Sequence, residues 1–247
     1  MSVTVIIPAR LASTRLPNKP LVDLCGKPLI QRVFEQVSKA KVDRIIMAVD
    51  DEKVATVAKN FGAETCMTRI DHHSGTDRIA EAVEDFNIPD DEIIVNVQCD
   101  EPFVPAENIQ LLVDTIRNHD HADIATLCES LEEKEDVFNP HFVKVVKDKN
   151  DKALYFSRAT IPWHRDTFAK DTFSSDGFYL HIGLYAYRAG FVKRFVQWPP
   201  APIEKLEALE QLRALWNGAS IYVAQTELSC GIGINTPEDL EKAKHLV

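Results

Sequence analysis

Three cations in ten residues, Arg10, Arg15 and Lys19, follow directly on the apolar run Val3 to Ile7. Arginine offers a rigid two-pronged fork and lysine a mobile point charge, so the trio suits a polyphosphate whose charge shifts during a reaction. In isolation such a loop reads as solvated basic surface. Its setting argues otherwise: Lys+Arg number 28 against Asp+Glu 38, a net charge of -10, and the loop leaves what looks like the first strand. An anionic ligand therefore needs a local cationic pocket, because the protein as a whole does not attract phosphate backbones or anionic lipid. Gly26-Lys27-Pro28 lacks the upstream glycine and the Ser/Thr of a P-loop, and no G-x-G-x-x-G follows a strand, so side chains must hold the phosphates.

A second feature is the string Asn96-Val97-Gln98-Cys99-Asp100-Glu101-Pro102 at the end of an apolar run. Asp100 at the carboxyl end of a buried parallel strand suits Mg²⁺, which takes one or two carboxylates plus phosphate oxygens. The same letters also fit a plain strand-ending turn. Loop and carboxylate together favour a metal–nucleotide site. His72-His73-Ser74-Gly75-Thr76-Asp77-Arg78 reads as a helix start whose amides could also meet a base or ribose. Arg158 stands at a strand end and Glu210-Gln211 on a polar helix face; each alone reads as structural. The histidine pair at 72 and 73, and His164 with His181, lack zinc-site spacing.

These residues need elements to place them. Short apolar runs alternate with amphipathic stretches: Val3–Pro8, Ile30–Lys39, Arg44–Val49, Val54–Phe61, Thr65–Thr68, Thr76–Phe86, Ile93–Gln98 and Asn108–Asn118. That alternation predicts a doubly wound α/β layer with a parallel sheet, whose open end binds ligands at the strands' carboxyl ends. The second half predicts mixed or antiparallel strands at Asp123–Cys128, Val143–Lys147, Leu154–Ser157 and Tyr179–Tyr187. A continuous helix is expected over Ile203–Trp216, with Ile203, Leu206, Leu209, Leu212 and Trp216 on one face and Glu207, Glu210 and Gln211 turned away. Thr236-Pro237-Glu238-Asp239 opens a last helix with Thr as cap. The polar stretch Trp163–Gly177 is longer than a usual connection and is expected to be a lid or a dimer arm. One domain over residues 1–247 is expected, with an excursion at about 160–187.

No apolar run approaches the ~20 residues that cross a bilayer. The first ten residues lack the marks of a secretory signal, and the five cysteines show no C-x-x-C pair. A cytoplasmic protein is expected.

The strings Pro-Ala-Arg-x-x-Ser-Thr-Arg-Leu-Pro-x-Lys-Pro-Leu from Pro8, Ser-Gly-Thr-Asp-Arg from Ser74, Asn-Val-Gln-x-Asp-Glu-Pro from Asn96, Ala-Leu-Tyr-Phe-Ser-Arg-Ala-Thr-Ile-Pro from Ala153 and Leu-Glu-x-Leu-Glu-Gln-Leu-Arg from Leu206 together resemble the 3-deoxy-manno-octulosonate (Kdo) cytidylyltransferases, in order and over nearly the whole chain. The resemblance implies a Rossmann-like nucleotide-diphosphosugar transferase fold with a mixed central sheet, and a homodimer. It implies the reaction CTP + Kdo to CMP-Kdo + diphosphate, which serves lipopolysaccharide synthesis. It implies that Pro8, Ala9, Arg10, Leu11, Arg15, Lys19, Ser74, Gly75 and Arg78 meet the nucleotide, with Lys19, Arg15 and Asp100 catalytic. Gln98, Arg158, His181, Tyr185, Glu210 and Gln211 would form the sugar-acid pocket, Arg158 taking the carboxylate. Asp100 would hold Mg²⁺ together with residue 235, where Asn235 stands in place of the family's Asp. Asn18 and Cys99 likewise stand where Gly is usual. A sister enzyme for sialic acid or an amino-substituted octulosonate, and a non-catalytic nucleotide binder, remain the alternatives.

Overall fold

The computed structural model describes residues 1–166, 168 and 173–247. Strand β1 (Val3–Ala9) runs into the cationic loop, which ends in one 3-10 turn at Lys19–Leu21 and a short hairpin of β2 (Asp23–Leu24) and β3 (Lys27–Pro28). Then α1 (Leu29–Val37), β4 (Arg44–Val49), α2 (Glu52–Asn60), β5 (Glu64–Met67), α3 (Gly75–Asp85), β6 (Ile93–Asn96) and α4 (Ala106–Asn118) alternate as the periodicity predicts. β5, β4, β1 and β6 lie side by side and parallel, Ile6 facing Ile46 on one side and Asn96 on the other.

The second half supplies β7 (Ile124–Ser130), α5 (Lys134–Phe138), β8 (Lys144–Lys147), β9 (Ala153–Ser157), β10 (Tyr179–Arg188), α6 (Ala189–Phe195), α7 (Pro202–Glu207), α8 (Gln211–Trp216), β11 (Ile221–Gln225) and α9 (Pro237–Lys244). The main sheet reads β11-β7-β10-β6-β1-β4-β5, with β10 antiparallel to both neighbours and β8 and β9 attached beside it. Strand residues alternate between two cores. Val3, Val5, Ile7 and Ala9 join the side covered by α1, α2 and α4, whereas Ile6 faces the side covered by α3, α6 and α8. A sheet buried on both faces explains the nearly unbroken apolar runs of β1 and β6.

Two expectations need correction. The range 160–187 is not all excursion, because Tyr179–Arg188 is a central strand; what remains is the 163–177 stretch. Thr167 and residues 169–172 of that stretch lie outside the described residues. Phe168 and Phe173 fold back on the body, against the ring of Phe178 at 5.6 and 6.2 Å.

The single helix over Ile203–Trp216 is also wrong. It breaks into α7 and α8 at Ala208, which adopts the left-handed conformation at φ 52°. The cause is a buried bidentate ion pair: Arg213 Nε and Nη2 donate to Glu204 Oε2 and Oε1 at 2.9 and 2.5 Å. Nine residues apart on one straight helix, these side chains would point in opposite directions roughly 13 Å apart along the axis. The break lets them meet, and it splits the apolar stripe: Leu209 and Leu212 are buried, but Leu206 and Trp216 are exposed.

Candidate active site

The cationic loop and the turn after β6 emerge at the same sheet end, as expected for adjacent parallel strands. They enclose a cavity of about 280 Å³ with the start of α3. Pro8, Arg10, Arg15, Lys19, Ser74, Gly75, Arg78, Gln98 and Asp100, all singled out in the sequence, line it. Lys19 is placed by the 3-10 turn, whose preceding residue, Asn18, has a left-handed φ of 54°. After glycine, asparagine is among the residues most at ease there, which gives Asn18 a physical reason. Lys19 Nζ donates to Asp100 Oδ2 at 2.5 Å and to Asn235 Oδ1 at 3.0 Å, and Arg15 reaches the same amide oxygen at 3.3 Å. The segment carrying Asn235 is tied to Asp100 by the Ile234 N–H on the Asp100 carbonyl at 2.8 Å. Asn235 itself stands before the α9 cap, where its N–H donates to Asp239 at 3.0 Å.

Ser74 caps α3 in a reciprocal capping box with Asp77, at 3.1 and 3.0 Å. The first turn of this 11-residue helix thus presents its positive end to the cavity. A Cβ on Gly75 would meet Pro8 at 3.5 Å and the Gln98 amide at 3.7 Å, ordinary contact distances that show how directly this turn faces both residues.

Gly75 and Gln98 also border a second, smaller cavity of about 70 Å³. Tyr185, Glu210 and Gln211 line it, with Asn96 and Tyr187. Thr76 donates to Glu210 Oε2 at 2.6 Å, whereas Glu210 Oε1 is buried without a hydrogen-bond partner. Burial pushes the Glu210 carboxyl above its ordinary range, offset in part by Thr76, Ser74 and the Arg213 guanidinium, whose Nη2 stands 3.7 Å from Oε1. His181 lies behind Gln211: its Nδ1 faces the Gln211 amide at 3.5 Å and its Nε2 the Thr126 hydroxyl at 2.9 Å. Burial pushes the imidazole down to about 3, so it is neutral. With the Gln211 amide donating to Nδ1, the proton sits on Nε2 and is donated to Thr126.

Other residues stand apart from both cavities. The Ala9 side chain is in the core, and Leu11 packs against that core. Arg158 is engaged elsewhere, with Nε on the Glu207 carbonyl at 2.8 Å and Nη1 on the Pro140 carbonyl at 3.1 Å. Glu207 is not turned to solvent but accepts from Ser157 Oγ and Arg158 N–H at 2.6 and 2.9 Å. Sequence reasoning passed over Asn96, Tyr187 and Asp50. The last was within reach, because Asp50 directly follows β4 at the sheet end where ligands bind. Beneath the site, burial and then neighbouring Asp100 push Glu101 up to about 8.

Among the described residues, no three His, Cys, Asp or Glu side chains gather as a metal site. Asp100 and Asn235 instead aim two hard oxygen donors at one cationic nitrogen. That donor set fits Mg²⁺ completed by phosphate oxygens and does not fit a soft or tetrahedral metal.

Comparison with known proteins agrees with this geometry. Residues 4–221 match the sequence pattern of the family described as cytidylyltransferase. The chain is 52% identical over 248 residues to a 3-deoxy-manno-octulosonate cytidylyltransferase of Aliivibrio fischeri, covering 100% of this chain and 99% of that one. It is 51% identical to the protein of the same name from Francisella tularensis subsp. novicida, with 99% and 98% covered. Among solved structures, CMP:2-keto-3-deoxy-manno-octonic acid synthetase complexed with CTP superposes with a TM-score of 0.91 at 36% identity, covering 100% of this chain and 98% of that one. A 4-diphosphocytidyl-2C-methyl-D-erythritol synthase, at 12% identity and a TM-score of 0.65, shares the fold. With the match spanning most of the chain and half of all residues identical to full-length relatives, the protein belongs to the cytidylyltransferase family.

Proposed function

We propose that this chain transfers the cytidylyl group of CTP to 3-deoxy-manno-octulosonate, releasing diphosphate and activating the sugar acid for lipopolysaccharide synthesis. The observation that carries this reading is a pair of neighbouring cavities: a cationic one and, sharing Gly75 and Gln98 with it, a smaller one walled by Tyr185 and Tyr187, where Glu210 Oε1 has no hydrogen-bond partner. The anomeric hydroxyl attacks the α-phosphorus and gives its proton to water, the bond to the bridging oxygen breaks, and the electron pair leaves with diphosphate. Arg10, Arg15 and Lys19 bind the triphosphate, and Lys19 steadies the charge growing on the leaving group. Asp100 and Asn235 would hold Mg²⁺, which supplies positive charge against the triphosphate oxygens when bound. Gln98, Tyr185, Glu210 and Gln211 orient the sugar acid. His181 backs Gln211, and Arg158 stands behind the site.

A homodimer and a cytoplasmic location complete the proposal. Leu154 on β9, Trp163 and Leu206 on α7 are 59%, 66% and 85% exposed, and β9 and α7 are joined by the Ser157–Glu207 hydrogen bond. Apolar residues left open on elements that meet suit a second copy of the chain. All five cysteines are free thiols, which suits a reducing compartment. No helix among the described residues is long and apolar enough to cross a membrane.

Diphosphate release, measured with each nucleoside triphosphate against Kdo, sialic acid and an amino-substituted octulosonate, tests the function. CTP with Kdo should exceed every other pair by at least about tenfold in kcat/KM, the size of a lost hydrogen bond or two. Equal rates with ATP, or a preference for another sugar acid, would reject it.

A further inference from the structure

The two walls of the larger cavity come from distant parts of the chain, the loop after β1 and the start of α3, and one buried carboxylate joins them. Asp50 Oδ1 accepts the Leu11 backbone N–H at 2.9 Å, and its Oδ2 accepts from Arg78 Nη2 at 3.1 Å. The side chains of Arg78 and Asp50 are 3% and 2% exposed, so this pair is desolvated and held in one geometry, unlike a screened surface contact. Arg78 Nη1 also donates to the Thr68 hydroxyl and, at 3.4 Å, to the Arg69 carbonyl. Thr68 in turn donates to the carbonyl of Val49, beside Asp50, at 2.9 Å. The guanidinium is thereby fixed to the sheet as well as to its helix.

The loop needs such an anchor. Beside the 280 Å³ cavity, and sharing Ala12 and Ser13 with it, the loop borders open space of about 310 Å³ that Leu11, Pro17 and Asp50 also line. Leu11 packs on the core and Leu16 is buried farther along, while the stretch between them borders this space, so the Leu11 N–H to Asp50 hydrogen bond adds to packing at the residue next to Arg10.

We propose that Asp50 is a positioning residue for nucleotide binding: through the Leu11 N–H and the Arg78 guanidinium it sets the spacing between the cationic loop and the first turn of α3. This rests on the reading of the larger cavity as the nucleotide site. It adds a positioning role for Arg78, whose Nη1 and Nη2 atoms are directed at Thr68, Arg69 and Asp50.

Two double variants separate the bridge from the charge. Asp50→Asn with Arg78→Gln removes both charges but keeps an amide oxygen for the Leu11 N–H and an amide donor toward it. Asp50→Leu with Arg78→Met removes the charges and the bridge together while keeping apolar volume, a replacement that buried ion pairs tolerate. CTP affinity is read by calorimetry, folding by thermal melting, and KM for the sugar acid at saturating CTP by diphosphate release. The Leu/Met protein should bind CTP at least about tenfold more weakly than the Asn/Gln protein, the scale of a displaced set of binding groups. The sugar-acid KM should move less than about twofold in both. Should the Leu/Met protein not fold, an amide-to-ester replacement at residue 11 deletes the donor alone, and it too should weaken CTP while leaving the sugar-acid KM in place. Equal CTP affinity in the two double variants, or an ester that binds CTP like wild type, overturns the proposal; equally weak binding would make the Arg78 charge itself the contact. A wild-type protein that does not bind CTP would instead overturn the nucleotide reading beneath it, a result visible before any variant is made.

Discussion

Lys19 stands between two oxygens of unequal charge, the Asp100 carboxylate and the Asn235 amide. An amide oxygen can ligate Mg²⁺, but it leaves the site one negative charge short. Asp at this position would strengthen the hold on Lys19 and Arg15 as well as on the metal. The metal gains more than either side chain, because at comparable distance the added charge interacts with a divalent ion twice as strongly as with a monovalent one. Asn235→Asp should therefore lower the Mg²⁺ concentration for half-maximal rate by about tenfold, or about 1.4 kcal/mol once dehydration has cancelled most of the gross attraction. A titration of both proteins at saturating CTP checks it, and superimposable curves would remove residue 235 from the ligand set. His181 offers a different residue-scale measurement. Its imidazole falls from an ordinary 6.5 to about 3 in the fold, so between those values the unfolded chain binds the extra proton. Stability from this residue is complete above about pH 6.5 and is lost as pH drops toward 3. At pH 5 the loss is about 1–2 kcal/mol, allowing for a ring that keeps some contact with solvent. Glu210, pushed upward, tilts the curve the other way, but it does so in wild type and variant alike. Urea melts of wild type and His181→Gln from pH 7 to 4.5 should diverge by that amount, the variant showing the flatter slope; parallel curves would mean that the ring titrates normally.

The break between α7 and α8 marks the limit of what periodicity reveals. A stripe of Ile203, Leu206, Leu209, Leu212 and Trp216 satisfies the helical period, and no glycine or proline interrupts it. The interruption comes from a tertiary partner choice, Glu204 with Arg213, which no local pattern encodes. Its consequence is functional: Glu207 swings to Ser157 and Arg158 while Glu210 and Gln211 face the smaller cavity. Where local and tertiary demands agree, as in β1, α1 and β4 through α4, the elements are legible to within a few residues, because a sheet covered on both faces writes itself as apolar runs; the small β2–β3 hairpin between them carries no such run. The cationic loop and Asp100 were legible for the same reason, being sequence-local at strand ends. Asn96 and Tyr187 were not picked out, since their importance lies in what faces them across the fold, whereas Asp50 carried a readable signal in its place at the end of β4. Ala208 carries a measurable cost, as a left-handed backbone is unfavourable by about 1 kcal/mol or more for a residue with a Cβ. Ala208 is exposed, so glycine forfeits almost no packing there. Ala208→Gly should raise stability by about 0.5–1 kcal/mol, net of glycine's greater freedom in the unfolded chain, and Tm by a degree or more. A fall in Tm would mean that the turn is stabilised by contacts that glycine loosens.

At the scale of the whole molecule, the site and the exposed apolar side chains share their supports. The Ser157 and Arg158 bonds to Glu207 fix β9 against α7, and α7 leads through Ala208 into the residues of the smaller cavity. A partner copy resting on Leu154, Trp163 and Leu206 would therefore press on the same framework that aims Glu210 and Gln211, and dimerisation would stiffen the sugar-acid side more than the nucleotide side. Leu206 is the most open of the three. Burying one such leucine contributes about 1.5–3 kcal/mol. In a two-fold interface each substitution counts twice, so Leu206→Glu should weaken the dimer by at least about 3 kcal/mol, more than a hundredfold in Kd. Sedimentation at micromolar concentration should find wild type at twice 27.8 kDa and the variant at that mass. The kinetic counterpart follows from the shared framework: the monomeric variant should raise the KM for the sugar acid several-fold while its CTP affinity stays within about twofold. A wild type that sediments as a monomer would remove the interface, and a variant that stays dimeric would move it away from α7. A monomeric variant with unchanged sugar-acid KM would keep the dimer but cut the link between the interface and the smaller cavity.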